Sequence, residues 1–181
     1  MRVELKDSVL LAVDYQEKIL PAVQRREELM RKSLRLINGI NALGMPVLVS
    51  EQYPKGLGKT VEEVAEAVGG EFCPIEKMTF SCADEEAFMA ALEATGRKTV
   101  IICGIEAHVC VLQTVIDLIA RGYRAVLVKD CVSSRFDDDL EVAFKRAEQE
   151  GAVISSSESI LFELTRKAGG DVFKTISKLV K

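Results

Sequence analysis

Short apolar runs, each bounded by glycine or polar residues, recur along the chain, and longer stretches with apolar residues three and four apart lie between them. SVLLAV (8–13), PVLVS (46–50), TVIICG (99–104), AVLVKD (125–130) and AVISS (152–156) read as strands. Runs this short and this continuously apolar suit strands covered on both faces. CPIEKM predicts a weaker strand near 74–77. Between them, the spacing of Met30, Leu34, Ile37 and Ile40 or Asn41 predicts a helix over about 24–43, with Glu27 and Glu28 in its first turns and Gly44 just past its end. A short acidic helix is expected from about Val61. The next is capped by Asp84 and closed by Gly96. The helix after TVIICG carries Val111, Val115, Leu118 and Ile119 as its buried stripe and stops at Gly122. A helix over about 138–150 follows, then Ser155-x-x-Glu158 as a capping box, then an amphipathic helix from Asp171.

Strands alternating with helices from end to end imply crossover units and a mainly parallel sheet. The expected fold is therefore α/β: a three-layer α/β/α, Rossmann-like arrangement of six strands with helices on both faces. Ligands in such sheets bind beyond the carboxyl ends of the strands, where the strand order reverses. The residues just after each strand become the candidates: Asp14 and Gln16; Glu51, Gln52 and Tyr53; Lys77; Glu106 to Cys110; and Asp130 to Arg135.

Composition narrows the function classes. With 181 residues the chain suits one domain, residues 1–181, large enough for a full core. The formal net charge is −4 with acids and bases interspersed, so no basic stripe invites nucleic acid. The segment MRVELKDSVLLAV lacks the pattern of a signal peptide, and no apolar run reaches the ~18 residues of a membrane span. The five cysteines form no C-x-x-C pair and there is one histidine, which leaves a zinc site short of ligands. These features suit a cytoplasmic protein with reduced thiols, no metal or cofactor, and no nucleic-acid or membrane partner.

Cys110 has two readings. It is either a small buried hydrophobe, as Cys103 inside its strand is, or a thiol at a helix start, where the dipole favours a thiolate. A nucleophilic thiol needs a proton acceptor. His108, two residues away at a helix start, points elsewhere and suits a pocket wall or a packing role better than a Cys–His dyad. Asp14, an abrupt acid after an apolar strand, is either a turn cap or a base. Lys77 gains interest only from its place after a strand. Gly58-Lys59-Thr60 matches the tail of a Walker A motif, but Tyr53 stands where that motif needs glycine, so the glycines suit a flexible loop over a site.

Three segments together resemble a known family. VDYQ (13–16), EKMTFSC (76–82) and CGIEAHVCVLQTVIDL (103–118) resemble the motif regions of isochorismatase-like cysteine hydrolases, in order and over essentially the whole chain. SEQYPKGLGKTVEEV and DCVSSR are more similar still to the isochorismatase domain-containing proteins. The resemblance implies an Asp/Lys/Cys triad at Asp14, Lys77 and Cys110. Cys110 would attack a carbonyl or nitrile carbon, Asp14 would move the proton, and Lys77 would keep both charged partners in place. It further implies a non-proline cis peptide between Ile105 and Glu106, with the Glu106 and Cys110 N–H groups forming an oxyanion hole. Gln16, Tyr53 and His108 are the expected pocket residues, and homo-oligomers are the family habit.

Two departures refine this. The SEQYPKGLG region has no histidine, so Glu51 has no metal-binding companions there, which argues against a metal-dependent nicotinamidase. True isochorismatases lack the cysteine nucleophile, so Cys110 argues against vinyl-ether cleavage. The expected activity is hydrolysis of a C–N bond in a small amide, carbamoyl or nitrile substrate through a thioester-type intermediate. Two alternatives remain open: a thiol redox protein pairing Cys110 with Cys131, and a non-catalytic binding protein on the same fold.

Overall fold

The first apolar run folds as β1 (Ser8–Val13), every residue of which is buried, and it becomes the centre of the sheet. Parallel partners flank it: β2 (Val47–Gln52) on one side and β4 (Thr99–Ile105) on the other. Outside β2 lies β3 (Ile75–Lys77), and beyond β4 come β5 (Arg124–Ser133) and β6 (Val153–Ser155). The described residues of this computed structural model, 2–70 and 72–181, thus form a six-stranded, all-parallel sheet in the order β3-β2-β1-β4-β5-β6. Met1 and Glu71, both inside the single expected domain, lie outside the described residues.

The period-two alternation of β1 divides the interior into two cores. Leu10 and Ala12 join Leu36, Ile37 and Ile40 of α1 (Arg26–Ala42), Val64 of α3 (Glu62–Val68), Ile160 and Leu161 of α7 (Ser157–Thr165) and Ile176 of α8 (Gly170–Val180). Val9, Leu11 and Val13 meet Phe88 and Leu92 of α4 (Glu86–Ala94), Val115 and Leu118 of α5 (Leu112–Ala120), and Leu140 of α6 (Asp137–Gln149) on the other face. The layers are those of the expected α/β/α sandwich. Each fully buried Leu, Ile or Phe contributes about 1.5–3 kcal/mol to holding them. No described helix is long and apolar enough to cross a membrane.

The chain steps outward from β1 through β2 to β3, then returns to β1's other side with β4. The order reverses between β1 and β4, so their carboxyl ends flank the crevice where α/β sheets bind ligands. Two backbone features mark that place. Asp14 ends β1 in the left-handed region at φ 52, its N–H donating to Ser50 O and its carbonyl accepting from Gln16 N–H. A non-glycine residue there costs about 1 kcal/mol, which the flanking bonds offset. Opposite it, Gly104 sits at φ 131, where an added Cβ would lie 2.2 Å from Val13 O. Only glycine lets β4 approach β1 this closely.

Several boundaries differ from the sequence expectation. β2 runs on through Glu51 and Gln52, and β5 runs on through Cys131 and Ser133, because backbone pairing continues past the apolar run. In α1 the buried stripe is Leu29, Ser33, Leu36, Ile37 and Ile40, with Met30 and Leu34 only half-buried at its border. In α5, Leu112 and Thr114 join Val111, Val115 and Leu118 in burial, and Ile119 is half-buried. Asp84 does not cap α4: it lies in a 3-10 turn, Cys82–Asp84, which Ser81 caps through its hydroxyl. The cap of α7 is Ser156, bonded to Ser159 N–H, rather than a Ser155/Glu158 box. The glycine-bearing loop also contains a single helical turn, α2 (Pro54–Leu57).

Candidate active site

Four strand ends converge at the crevice. Asp14 follows β1, Gln52 ends β2, Lys77 ends β3, and Cys110 lies in a π-helical turn, Ala107–Val111, between β4 and α5. These three ionisable residues are almost withdrawn from solvent, with Asp14 0%, Lys77 3% and Cys110 6% exposed. Buried charges require partners, and these have them. The Lys77 ammonium lies 2.8 Å from Asp14 Oδ2. It donates to Gln52 Oε1 at 2.7 Å and to the carbonyls of Phe80 and Thr79 at 3.1 and 3.3 Å. Ser50 donates to Asp14 Oδ1 at 2.8 Å. Asp14 Oδ2, although it touches the ammonium, accepts no directed hydrogen bond.

The Cys110 thiol faces Gln52 Oε1 at 3.9 Å and is coupled electrostatically to both Asp14 and Lys77. Burial, reinforced by the Asp14 charge and opposed by Lys77, pushes its pKa up to about 12. Of the two readings of Cys110, burial and the Asp14 charge favour the neutral thiol at rest, beside an Asp14–Lys77 ion pair. For Lys77, burial works against the charge, but the Asp14 carboxylate beside it, with the nearby Cys82 and Cys110 sulfurs adding to its effect, outweighs burial and raises its pKa. The lysine stays charged at neutral pH.

A second thiol enters the site. Cys82 is fully buried, its Sγ 3.5 Å from Ser50 Oγ, and its N–H bonds to Thr114 Oγ1, which in turn donates to Cys110 O. Burial and the Asp14 charge raise its pKa to about 11. Cys103 is core, as its strand context implies. Cys131 packs in the Tyr15 and Ser33 core, whereas Cys110 packs in the core on the opposite face of the sheet. The sheet separates the two thiols proposed for a redox pair.

The remaining candidates divide. The peptide between Ile105 and Glu106 is cis, as the resemblance implies. Glu106 O accepts from the N–H groups of Val109 and Val111, and its carboxylate binds Arg135. His108 turns toward Ser134 Oγ at 3.0 Å and Asp139 at 3.7 Å, on the α6 side. Gln16 is fully buried, and its amide is committed to backbone: Nε2 donates to Gln52 O and Gly58 O, and Oε1 accepts from Gln52 N–H. It is a clamp between β1, β2 and the 53–60 loop. Tyr53 is half exposed, takes φ 39 and donates its N–H to Lys77 O. Glu51 accepts from both Thr60 N–H and its hydroxyl at 2.7 Å, so it too holds the loop. Among the described residues, no three His, Cys, Asp or Glu side chains gather as a metal-ion set.

Comparison with known proteins places this geometry. Residues 8–159 match the family model of the isochorismatase domain. The chain belongs to the isochorismatase family. It is 38% identical over 174 residues to isochorismatase domain-containing protein 1 of Salmo salar, covering 96% of this chain and 61% of that relative's length. Its fold superposes with TM-score 0.93 on the structure of MAR1 ribonuclease from Caenorhabditis elegans, at 38% identity over 99% of this chain and 92% of that one. A YcaC structure from Pseudomonas aeruginosa, carrying hexane-2,5-diol and covalent acrylamide, superposes with TM-score 0.92 at 25% identity, covering 98% and 91%. In this isochorismatase-family chain, Ser50, Gln52, Cys82 and Thr114 join the bonded network around Asp14, Lys77 and Cys110; all four lie inside the quoted motif segments, which give them no individual role. Of these, only Gln52 stood among the residues expected just after a strand.

Proposed function

We propose that this isochorismatase-family protein is a cysteine hydrolase that cleaves the C–N bond of a small amide-like substrate. The observation that carries the reading is the buried oxygen Asp14 Oδ2, held beside an ammonium, free of directed hydrogen bonds and coupled to a neutral thiol. As Cys110 Sγ bonds to the substrate carbonyl carbon, its S–H bond breaks and the proton passes to Asp14 Oδ2. The carbonyl electron pair moves to oxygen, where the Glu106 and Cys110 N–H groups would receive it. Collapse breaks the C–N bond, and Asp14 returns the proton to the departing nitrogen, leaving a thioester. Water then attacks, Asp14 takes its proton, and the second collapse releases the acid and restores the thiol. Lys77 keeps Asp14 ionised between the steps.

General-base attack fits a thiol raised to about 12 better than a standing thiolate does. A relative that carries covalent acrylamide supports nucleophilic chemistry on this fold. The test is an amide, carbamoyl and nitrile panel with wild type, Cys110→Ala and Asp14→Asn; turnover in wild type and loss in both variants is the expected result. A second reading comes from the MAR1 ribonuclease likeness. A net charge of −4 offers RNA no basic surface, so RNA belongs in the panel as the arm that would displace the amidase reading. Homo-oligomeric assembly, which the resemblance implies, is read by light scattering on the same preparations.

A further inference from the structure

We propose that Gln52 is a positioning residue of this site: its side-chain carbonyl draws a Lys77 N–H away from Asp14, leaving Oδ2 free to take the Cys110 proton. The inference rests on the hydrolase reading above. An ammonium has three protons, and Lys77 has four oxygen neighbours: Gln52 Oε1 at 2.7 Å, Asp14 Oδ2 at 2.8 Å, Phe80 O at 3.1 Å and Thr79 O at 3.3 Å. One neighbour must go without a directed bond, and it is the catalytic carboxylate oxygen. The ion pair keeps its Coulombic attraction, so Asp14 stays charged while its lone pair remains open.

The Gln52 amide is itself fixed. Its Nε2 donates to Met78 O at 3.0 Å, which leaves Oε1 facing Lys77 and the Cys110 sulfur, and Gln16 grips its backbone N–H and carbonyl. A neutral acceptor is what the charge balance allows. The charged groups that act on Cys110 are Asp14, just after β1, and Lys77 from β3, and the Cys82 thiol of the 3-10 turn acts on that same Lys77. On Cys110's own segment, His108 turns to Asp139, and Glu106 is paired with Arg135. A carboxylate in place of the Gln52 amide would put two buried anions against one cation.

The experiment is alkylation of Cys110 by iodoacetamide, followed by mass spectrometry from about pH 6 to about pH 10. In it the S–H proton goes to Asp14, the S–C bond forms and iodide leaves. Wild type, Asp14→Asn, Gln52→Leu and Gln52→Glu are compared, each with its melting temperature. Asp14→Asn slows the neutral-pH reaction. Gln52→Leu slows it roughly ten-fold, the scale of one hydrogen bond to a charged group, because the freed Lys77 N–H turns onto Oδ2. Gln52→Glu keeps an oxygen on Lys77 but moves the whole profile to higher pH. A slow Asp14→Asn beside a Gln52→Leu with wild-type rate and profile overturns the inference and leaves the triad standing. A Gln52→Leu that only melts earlier, its profile unmoved, also overturns it, since a merely structural glutamine behaves so. An Asp14→Asn that reacts like wild type removes both.

Discussion

Replacing Lys77 with methionine tests the electrostatics of the site most directly. The side chain keeps its length, but the Asp14 carboxylate loses its counter-ion while staying fully buried. Two unit charges 2.8 Å apart attract by about 6 kcal/mol at an effective dielectric near 20, before the cost of desolvating them is subtracted. Removing one partner of such a pair costs about 3–5 kcal/mol, because the other charge remains unpaired in the interior. The carbonyls of Phe80 and Thr79 and the amide of Gln52 lose their donor as well. Lys77→Met is therefore expected to lower stability by about 4 kcal/mol, a melting drop of roughly 8–16 °C for a chain of this size. Urea unfolding at neutral pH measures it. Adding Asp14→Asn removes the orphaned charge, so the double variant should regain about 2 kcal/mol or more in a double-mutant cycle. A single-variant cost below about 1 kcal/mol, or costs that simply add, would refute the buried-pair argument.

Other outcomes follow from features outside the ion pair. Gly104→Ala should cost about 3 kcal/mol or lower soluble yield outright, because its Cβ would meet backbone of β1 at Val13 rather than a side chain that can turn aside; chemical denaturation reads it. Tyr15→Phe leaves Ser33 Oγ and Cys131 O without the phenol between them, and should cost about 1–3 kcal/mol by thermal melting. Glu85 accepts from Met78 N–H and from Thr79 N–H and hydroxyl, and these bonds lower its pKa from the ordinary 4.5. Its contribution is present above that ordinary value and lost as pH falls through the lowered one. Glu85→Gln should therefore cost about 1 kcal/mol at neutral pH, discounted for partial exposure, and nothing in strong acid; melting curves across acidic pH measure the convergence.

The strands were legible because burial on both faces demands unbroken apolar runs, and the alternation of strand and helix leaves few arrangements other than a parallel sheet. The approach of Asp14, Lys77 and Cys110 was legible only through three motif regions taken together; no single segment holds more than one of them. What stayed hidden depends on partners distant in sequence. Gln52 looks like part of a polar loop two residues past the apolar run, yet backbone pairing with β3 makes it the last residue of a strand and sets its amide on Lys77. Cys82 shares no spacing with Cys110, and Thr114 ties them only once α5 is packed. Asp84 has the composition of a cap, but the polypeptide turns at Ser81, so the carboxylate that secures the neighbouring loop is Glu85. The choice between the two readings of Cys110 was not legible, because a local dipole is visible in sequence and burial by a whole crevice is not.

The 53–60 loop carries a consequence for binding kinetics. Gln16 holds Gly58 O, Lys18 holds Gly56 O, Glu51 holds Thr60, and Glu17 accepts from Lys59 N–H. Glycines of the sort that suggest a swinging lid are here in a loop fastened along most of its length to β2 and to the segment that follows Asp14. The ordering entropy of this segment is then settled when the chain folds, not when a ligand arrives. A substrate reaching the crevice should meet a finished wall and associate in a single phase whose rate rises in proportion to its concentration, with no slow closing step behind it.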